Sequence, residues 1–299
     1  MRQPVFTGAC VAITTPFTSD SSKIDFEQFG LQIERQIAAG IDAICVCGTT
    51  GESATMSLEE HMEAVEYCIK KVAGRCKVVA GSGSNDTNAA LMLSQHAAEA
   101  GADGLLLVTP YYNKASQNGL IKHYTYIADR VDCPIILYNV PSRTGCGFTP
   151  ATYEVLAKHP NINGVKEASG NFSAFPEIRK RCGDDFYIWS GNDDQVVPLM
   201  SLGGKGVISV LANVAPDYTT KMAHLCLDGN FSEAAKMQID AIELINALFI
   251  EVNPIPVKEA LAMMGLDNGV LRLPLCEMSD EHRATLRSVL SAAGYLSKN

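Results

Sequence analysis

Eight short apolar runs, each followed by a longer amphipathic segment, leave this chain few folds to adopt. The runs are Ala9 to Thr14, Ala43 to Cys47, Val78 to Gly81, Gly104 to Val108, Pro134 to Tyr138, Gly164 to Lys166, Phe186 to Ser190 and Gly206 to Ser209. Runs this short and this continuously apolar read as strands buried on both faces, the mark of a parallel sheet covered by helices. The segments between them, such as Phe26 to Ala39 and Leu58 to Ala73, read as helices. Ser57 followed by Glu60 is a capping box, Thr149-Pro150 sets a cap before a proline at the first helical position, and Gly40, Gly74, Gly101 and Gly183 stand where helices should stop. Eight such units predict an α/β fold of the closed (β/α)8 TIM barrel type rather than an open doubly wound sheet.

The barrel is expected over residues 1–229. Beyond Gly229 no strand signal recurs. Phe231 to Val252, Ile255 to Met264 and Asp280 to Leu296 read as helices separated by Pro254, Pro256 and Pro274. Residues 230–299 are therefore expected to form a helical C-terminal appendage packed on the barrel.

The net charge of −9 argues against a nucleic-acid or anionic-membrane surface. No apolar run is long enough for a transmembrane helix, and no signal-peptide core follows Met1. The ten cysteines include no C-x-x-C pair and read as free thiols in a reducing cytosol, so a cytoplasmic location is expected. Cys45 and Cys47, two apart on a strand, are expected to share a face without bridging each other. The six histidines show no metal-binding spacing, so no catalytic metal is expected.

In a barrel of this kind the chemistry comes from the C-terminal ends of the strands and the loops that follow. Lys166 closes the sixth run. A lysine there loses hydration, which disfavours the ammonium and favours a neutral amine, a nucleophile toward carbonyl carbon. The competing reading is an ion-paired lysine, with Glu167 as its partner. After the second strand, Gly48-Thr49-Thr50-Gly51-Glu52-Ser53 presents two hydroxyls between glycines, suited to a carboxylate or a proton relay. The fourth strand leads into Thr109-Pro110-Tyr111-Tyr112, and the fifth ends in Tyr138-Asn139-Val140-Pro141-Ser142-Arg143-Thr144-Gly145. Tyr138 can pass protons, and Arg143 is a fork-shaped donor for a carboxylate. After the seventh strand, Asp193 and Asp194 read as a helix N-cap rather than metal ligands. Gly203-Gly204-Lys205-Gly206 precedes the eighth strand and so belongs to the opposite, stabilising face. One lysine, several tyrosines, two threonines and an arginine, with no metal or nucleotide motif, suit Schiff-base activation of a 2-oxo acid.

Gly48 to Glu52, Tyr138 to Gly145 and Gly164-Val165-Lys166-Glu167-Ala168 closely resemble the signatures of the 4-hydroxy-tetrahydrodipicolinate (dihydrodipicolinate) synthase family. That family lies among the pyruvate-dependent class I aldolases, which include N-acetylneuraminate lyase. The resemblance covers essentially the whole chain. It implies that Lys166 forms the imine with pyruvate, that Tyr138 donates and accepts protons, and that Thr49, Tyr138 and Tyr112 form a relay, with Tyr112 reaching in from a neighbouring subunit. It further implies that Thr50 and the backbone around Ile208 hold pyruvate, that Gly191 lies near the imine, and that Arg143 binds the carboxylate of aspartate semialdehyde. No cofactor, metal or nucleotide is implied. A homotetramer built as a dimer of dimers is. The alternative within the superfamily is a sialic-acid lyase or sugar-acid aldolase, against which Arg143 argues.

Feedback-inhibited members of that family bind lysine at a dimer interface, through positions that here are Ser53, Ala54, Leu58, His61, Asn85, Ala89 and Tyr111. Ser53, Ala54, His61, Asn85 and Tyr111 match the pattern. Ala89 stands where inhibited members carry a glutamate, and Leu58 replaces a polar or aromatic residue. A degenerate effector site with weak or absent lysine inhibition is expected.

Overall fold

The computed structural model describes residues 2–296. Eight parallel strands close into one barrel: β1 (Gly8–Ala12), β2 (Ala43–Val46), β3 (Lys77–Gly81), β4 (Gly104–Val108), β5 (Ile135–Asn139), β6 (Ile162–Glu167), β7 (Tyr187–Ser190) and β8 (Gly206–Ser209), with β8 pairing back onto β1. Each expected strand appears within two residues of its expected bounds. The strands are apolar throughout because both faces are covered. Ile44, Val46, Leu105, Leu107, Val165 and Val207 pack outward against the surrounding helices. Cys10, Cys45, Val79, Leu106, Ile136, Tyr138, Trp189 and Ile208 fill the interior.

The helices start and stop where their local chemistry directs. Helix Leu58–Val72 opens with the full reciprocal capping box of Ser57 and Glu60. Thr149 caps helix Pro150–Leu156, and Gly101 ends helix Thr87–Ala100 in the left-handed region at φ +96°. The long helix expected from Phe231 to Val252 is not continuous. It forms Phe231–Asp240 and Ile242–Ala247, joined at Ala241. The break lets Leu244, Ile245 and Leu248 turn into a second apolar cluster with Val257, Leu286 and Leu290 of helices Ile255–Met263 and Asp280–Ala292.

The bottom of the barrel is shut by the chain's own N-terminal arm. Val5 and Phe6 enter the interior cluster, Phe6 stacks on Trp189 at 5.2 Å, and the Trp189 indole donates to the Phe6 carbonyl. The Val5 N–H donates to Asn163 Oδ1, whose own amide donates to the Gln3 carbonyl. The Gly203–Gly206 turn lies at this same end, where the Gly8 N–H donates to the Lys205 carbonyl.

Candidate active site

Lys166 reaches the barrel interior because β6 contains a bulge. Ile135 pairs with Ile162, but Ile136 pairs with Gly164, which leaves Asn163 as an extra residue. Ile162 and Val165 both face the outer helices, three positions apart, where strict alternation would require an even spacing. Without the bulge, Ile162 and Lys166 would share the outer face. With it, Lys166 stands beside Tyr138 on one side and Trp189 on the other, and both of those belong to the interior cluster. Bulges commonly re-aim side chains next to active sites. Glycine follows the bulge because a Cβ at Gly164 would lie 1.9 Å from the Tyr187 carbonyl oxygen.

The Lys166 side chain is only 6% exposed. Among the described residues it has neither an ion pair nor a hydrogen bond, and its Nζ lies 4.3 Å from the centre of the Tyr138 ring. Glu167 is not its partner. The Glu167 carboxylate points the other way and accepts from Asn139 Nδ2, the Tyr153 hydroxyl and the Ser169 N–H. Gly191, just after β7, keeps room for the lysine: a Cβ there would come within 3.0 Å of Lys166 Cε. Ile208 is fully buried in the interior cluster.

The loop after β2 begins and ends in strained backbone. Cys47 and Glu52 both have positive φ, at +54° and +55°. The turn at Cys47 sends its side chain into the outer core while Cys45 stays in the interior, so the two thiols do not share a face. Burial pushes the Cys45 thiol up to about 11, a shift that Lys166 opposes. Between the strained residues, Thr50 is buried and its hydroxyl accepts from Asn253 Nδ2 at 3.0 Å. Asn253 also receives Arg143 Nη2 on its carbonyl oxygen at 3.1 Å. One residue from the C-terminal region thus ties the β2 and β5 loops together. Asn253 Oδ1 is buried with no hydrogen-bond partner among the described residues.

Thr49, Arg143 and Asn253 line one cavity of about 600 Å³. Ser53, Ala54, Leu58, His61, Ala89 and Tyr111 line it too, so most of the expected effector positions share an opening with Thr49 and Arg143. Asn85 does not line it; its carbonyl accepts from Asn113 Nδ2. Burial pushes His61 down to about 4, which keeps its ring neutral near neutral pH. Tyr112 is absent from the cavity wall. Its side chain is 90% exposed on a backbone at φ +73°.

Asp193 is not the cap of its own helix. Its Oδ2 accepts from the N–H groups of Val210 and Leu211, both at 2.9 Å, and so caps the turn after β8. Burial raises its pKa. Tyr138 and Lys166 lie near the C-terminal ends of β5 and β6, and Gly191 directly follows β7. Thr49 and Thr50 follow β2, Arg143 sits in the short helix Pro141–Thr144 after β5, and Ile208 lies within β8. Sequence reasoning reached these positions through the strand-end rule and the family resemblance. It missed Asn253, because an asparagine before a proline carries no sign of a contact made with Thr50.

The model of the dihydrodipicolinate synthetase family matches residues 5–293. A 4-hydroxy-tetrahydrodipicolinate synthase of a Thermoanaerobacter species is 53% identical over 294 residues, 98% of each chain. One from Acetivibrio thermocellus is 49% identical, covering 99% of this chain and 100% of the other. The crystal structure of dihydrodipicolinate synthase from Aquifex aeolicus superimposes with a TM-score of 0.95 at 45% identity, covering 98% of this chain and 100% of that one.

Proposed function

The chain belongs to the dihydrodipicolinate synthetase family, and from that membership we infer its reaction. It is a lyase that condenses pyruvate with L-aspartate 4-semialdehyde to 4-hydroxy-tetrahydrodipicolinate, on the diaminopimelate route to lysine. The chemistry runs through an imine on the enzyme and requires no metal or nucleotide. The observation that carries the assignment of residues is the mostly buried Lys166 side chain, without an ion pair or hydrogen bond among the described residues, beside Tyr138 inside the barrel.

In the mechanism we propose, Lys166 Nζ attacks the ketone carbon of pyruvate. Water leaves to give an iminium, which serves as an electron sink. A proton then leaves the methyl carbon, and the enamine so formed attacks the aldehyde carbon of the second substrate, whose oxygen takes a proton. That substrate's amino group then adds to the re-formed iminium carbon and displaces Lys166 Nζ, closing the ring and freeing the amine. Tyr138 passes protons at the reacting atoms, with Thr49 and a neighbouring subunit's Tyr112 completing the relay. Thr50 and the backbone around Ile208 hold the pyruvate carboxylate. Arg143, tethered by Asn253, receives the carboxylate of aspartate semialdehyde. The exposed, left-handed Tyr112 supports a relay completed across a subunit boundary, hence a homo-oligomer, which we take to be a tetramer of paired dimers. Ten free cysteines support a cytoplasmic location, and no helix among the described residues is long and apolar enough to cross a membrane. We treat residues 1–229 as the catalytic unit and 230–299 as its helical support.

Borohydride reduction in the presence of pyruvate, followed by peptide mass mapping, should place a single adduct on Lys166. Turnover should be far faster with aspartate semialdehyde than in cleavage of N-acetylneuraminate. The reverse preference would move the chain to the sugar-acid aldolases.

For regulation, we propose that the degenerate effector positions leave free lysine a poor inhibitor. Ala89 lines the cavity with no carboxylate to pair with the ligand's ammonium, and an ammonium bound without such a partner should be held markedly more weakly. Steady-state assays should show little inhibition at micromolar lysine. Inhibition in that range would contradict the reading.

A further inference from the structure

Beneath the Gly48–Glu52 loop lies an ion pair with no access to solvent. Lys258 Nζ meets Glu52 Oε1 at 2.7 Å, and both side chains are 0% exposed. Lys258 also donates to the Thr15 carbonyl at 3.0 Å and sits 4.4 Å from the centre of the Phe17 ring. The second oxygen of Glu52 accepts the Arg272 N–H at 3.1 Å. The Arg272 guanidinium covers Phe17 and chelates Glu60, the capping-box residue of helix Leu58–Val72. Glu52 borders the cavity of Thr49 and Arg143, yet both charged side chains are sealed from solvent, and both residues lie outside the barrel strands.

Their position indicates a different task. Glu52 is the last residue of the loop that carries Thr49 and Thr50, and it is held in left-handed backbone at φ +55°. Its N–H donates to the Thr49 carbonyl at 3.1 Å, so the place of its backbone sets that of Thr49. A non-glycine residue persists in such backbone only where its surroundings over-determine it. Here the surroundings are Lys258 on helix Ile255–Met263 and the Arg272 amide, both from the C-terminal region. The same region supplies Asn253, which grips the Thr50 hydroxyl.

We propose that Glu52 and Lys258 are positioning residues for the condensation: a buried clamp through which the C-terminal helices fix Thr49 and Thr50 in their working geometry. This rests on the reading that Thr49 relays protons and Thr50 holds pyruvate. The clamp touches neither substrate. It acts through the loop, so loosening it should depress turnover in sites that still form the imine. A displacement on the order of 1 Å at a catalytic group can cost about 10²-fold in rate.

The test uses the full-length enzyme and two principal variants, with Lys258→Arg and Lys258→Met compared alongside: the double Glu52→Gln/Lys258→Met, which removes both charges at similar volume, and Glu52→Asp, which keeps the charge and withdraws it by one methylene. For each, kcat is divided by the number of Lys166 sites trapped with saturating pyruvate and borohydride, and the thermal midpoint is recorded alongside. Turnover per trapped site should fall by roughly 10- to 100-fold in both. Lys258→Arg, which keeps a cation in reach of Glu52, should recover more turnover per site than Lys258→Met. Parental turnover per trapped site in either variant would overturn the proposal, because activity would then be lost only through unfolded protein. Absence of a trapped adduct in the parent enzyme would refute the role of Lys166 instead, which keeps the two failures apart.

Discussion

Lys166→Ala is expected to abolish condensation while leaving the protein folded and close to the parent in stability. The two halves of that expectation share one cause. Covalent capture of pyruvate needs an amine inside the barrel, and Lys166 is the residue that β6 turns inward beside Tyr138. Without it there is no iminium to accept electrons, and the methyl group of pyruvate keeps its proton. The fold does not depend on the same atom. Lys166 Nζ holds no ion pair or hydrogen bond among the described residues, and β6 is tied to its neighbours through backbone pairing on both sides. No partner is stranded when the amine is removed, so the only loss is the packing of the lysine stem and the melting transition should stay close to the parent's. Turnover measured with both substrates and a thermal melt of the same preparation check both halves. A folded Lys166→Ala enzyme working at full rate would end the assignment.

The opposite balance is expected at Lys258. Lys258→Met should lose about 3–5 kcal/mol of stability, the usual result of removing one partner of a buried ion pair and stranding the other charge. Glu52 would be left with the Arg272 amide, in a place sealed from water. Burial already pushes the Lys258 pKa down, and Glu52 is the main influence resisting that shift. Removing both charges in Glu52→Gln/Lys258→Met should restore part of the loss, because no charge is then stranded. The glutamine carbonyl oxygen can still accept the Arg272 N–H, although a lysine-free site supplies no partner to its amide N–H groups. Urea unfolding of the single and double variants measures the difference. A single variant as stable as its parent would mean that water reaches Glu52.

The barrel was legible because its strands are buried on both faces, which leaves runs such as Ile135 to Asn139 with no polar alternation to confuse. The residues proposed for the reaction centre stand out in the sequence for a related reason. Lys166, Tyr138 and Arg143 stand just where an apolar run meets its loop, and a charged or phenolic group there has few structural duties. What was not legible depends on contacts between distant parts of the chain. The bulge at Asn163 follows from a register that a single strand does not carry, yet it decides which way Lys166 faces. Cys47 looked like a strand residue facing the same way as Cys45 until the backbone turned at φ +54°. Asn253 meets Thr50 across 203 positions and Lys258 meets Glu52 across 206, and no local pattern announces either. The helix expected from Phe231 to Val252 was misjudged for the same reason, since the break at Ala241 serves packing against helices that come later in the chain.

The plug made by Val5 and Phe6 gives the reaction an itinerary. With the floor of the barrel filled and Phe6 stacked on Trp189, nothing passes through from below. Both reactants must descend by the same doorway, and the product must climb back out of it. On the roles proposed above, the keto acid is bound for the deeper berth at Lys166, while the semialdehyde is received higher up, at the exposed Arg143. On those proposed seats, an aldehyde that arrived first would lie across the way to Lys166, so the closed floor favours entry of the keto acid before the semialdehyde.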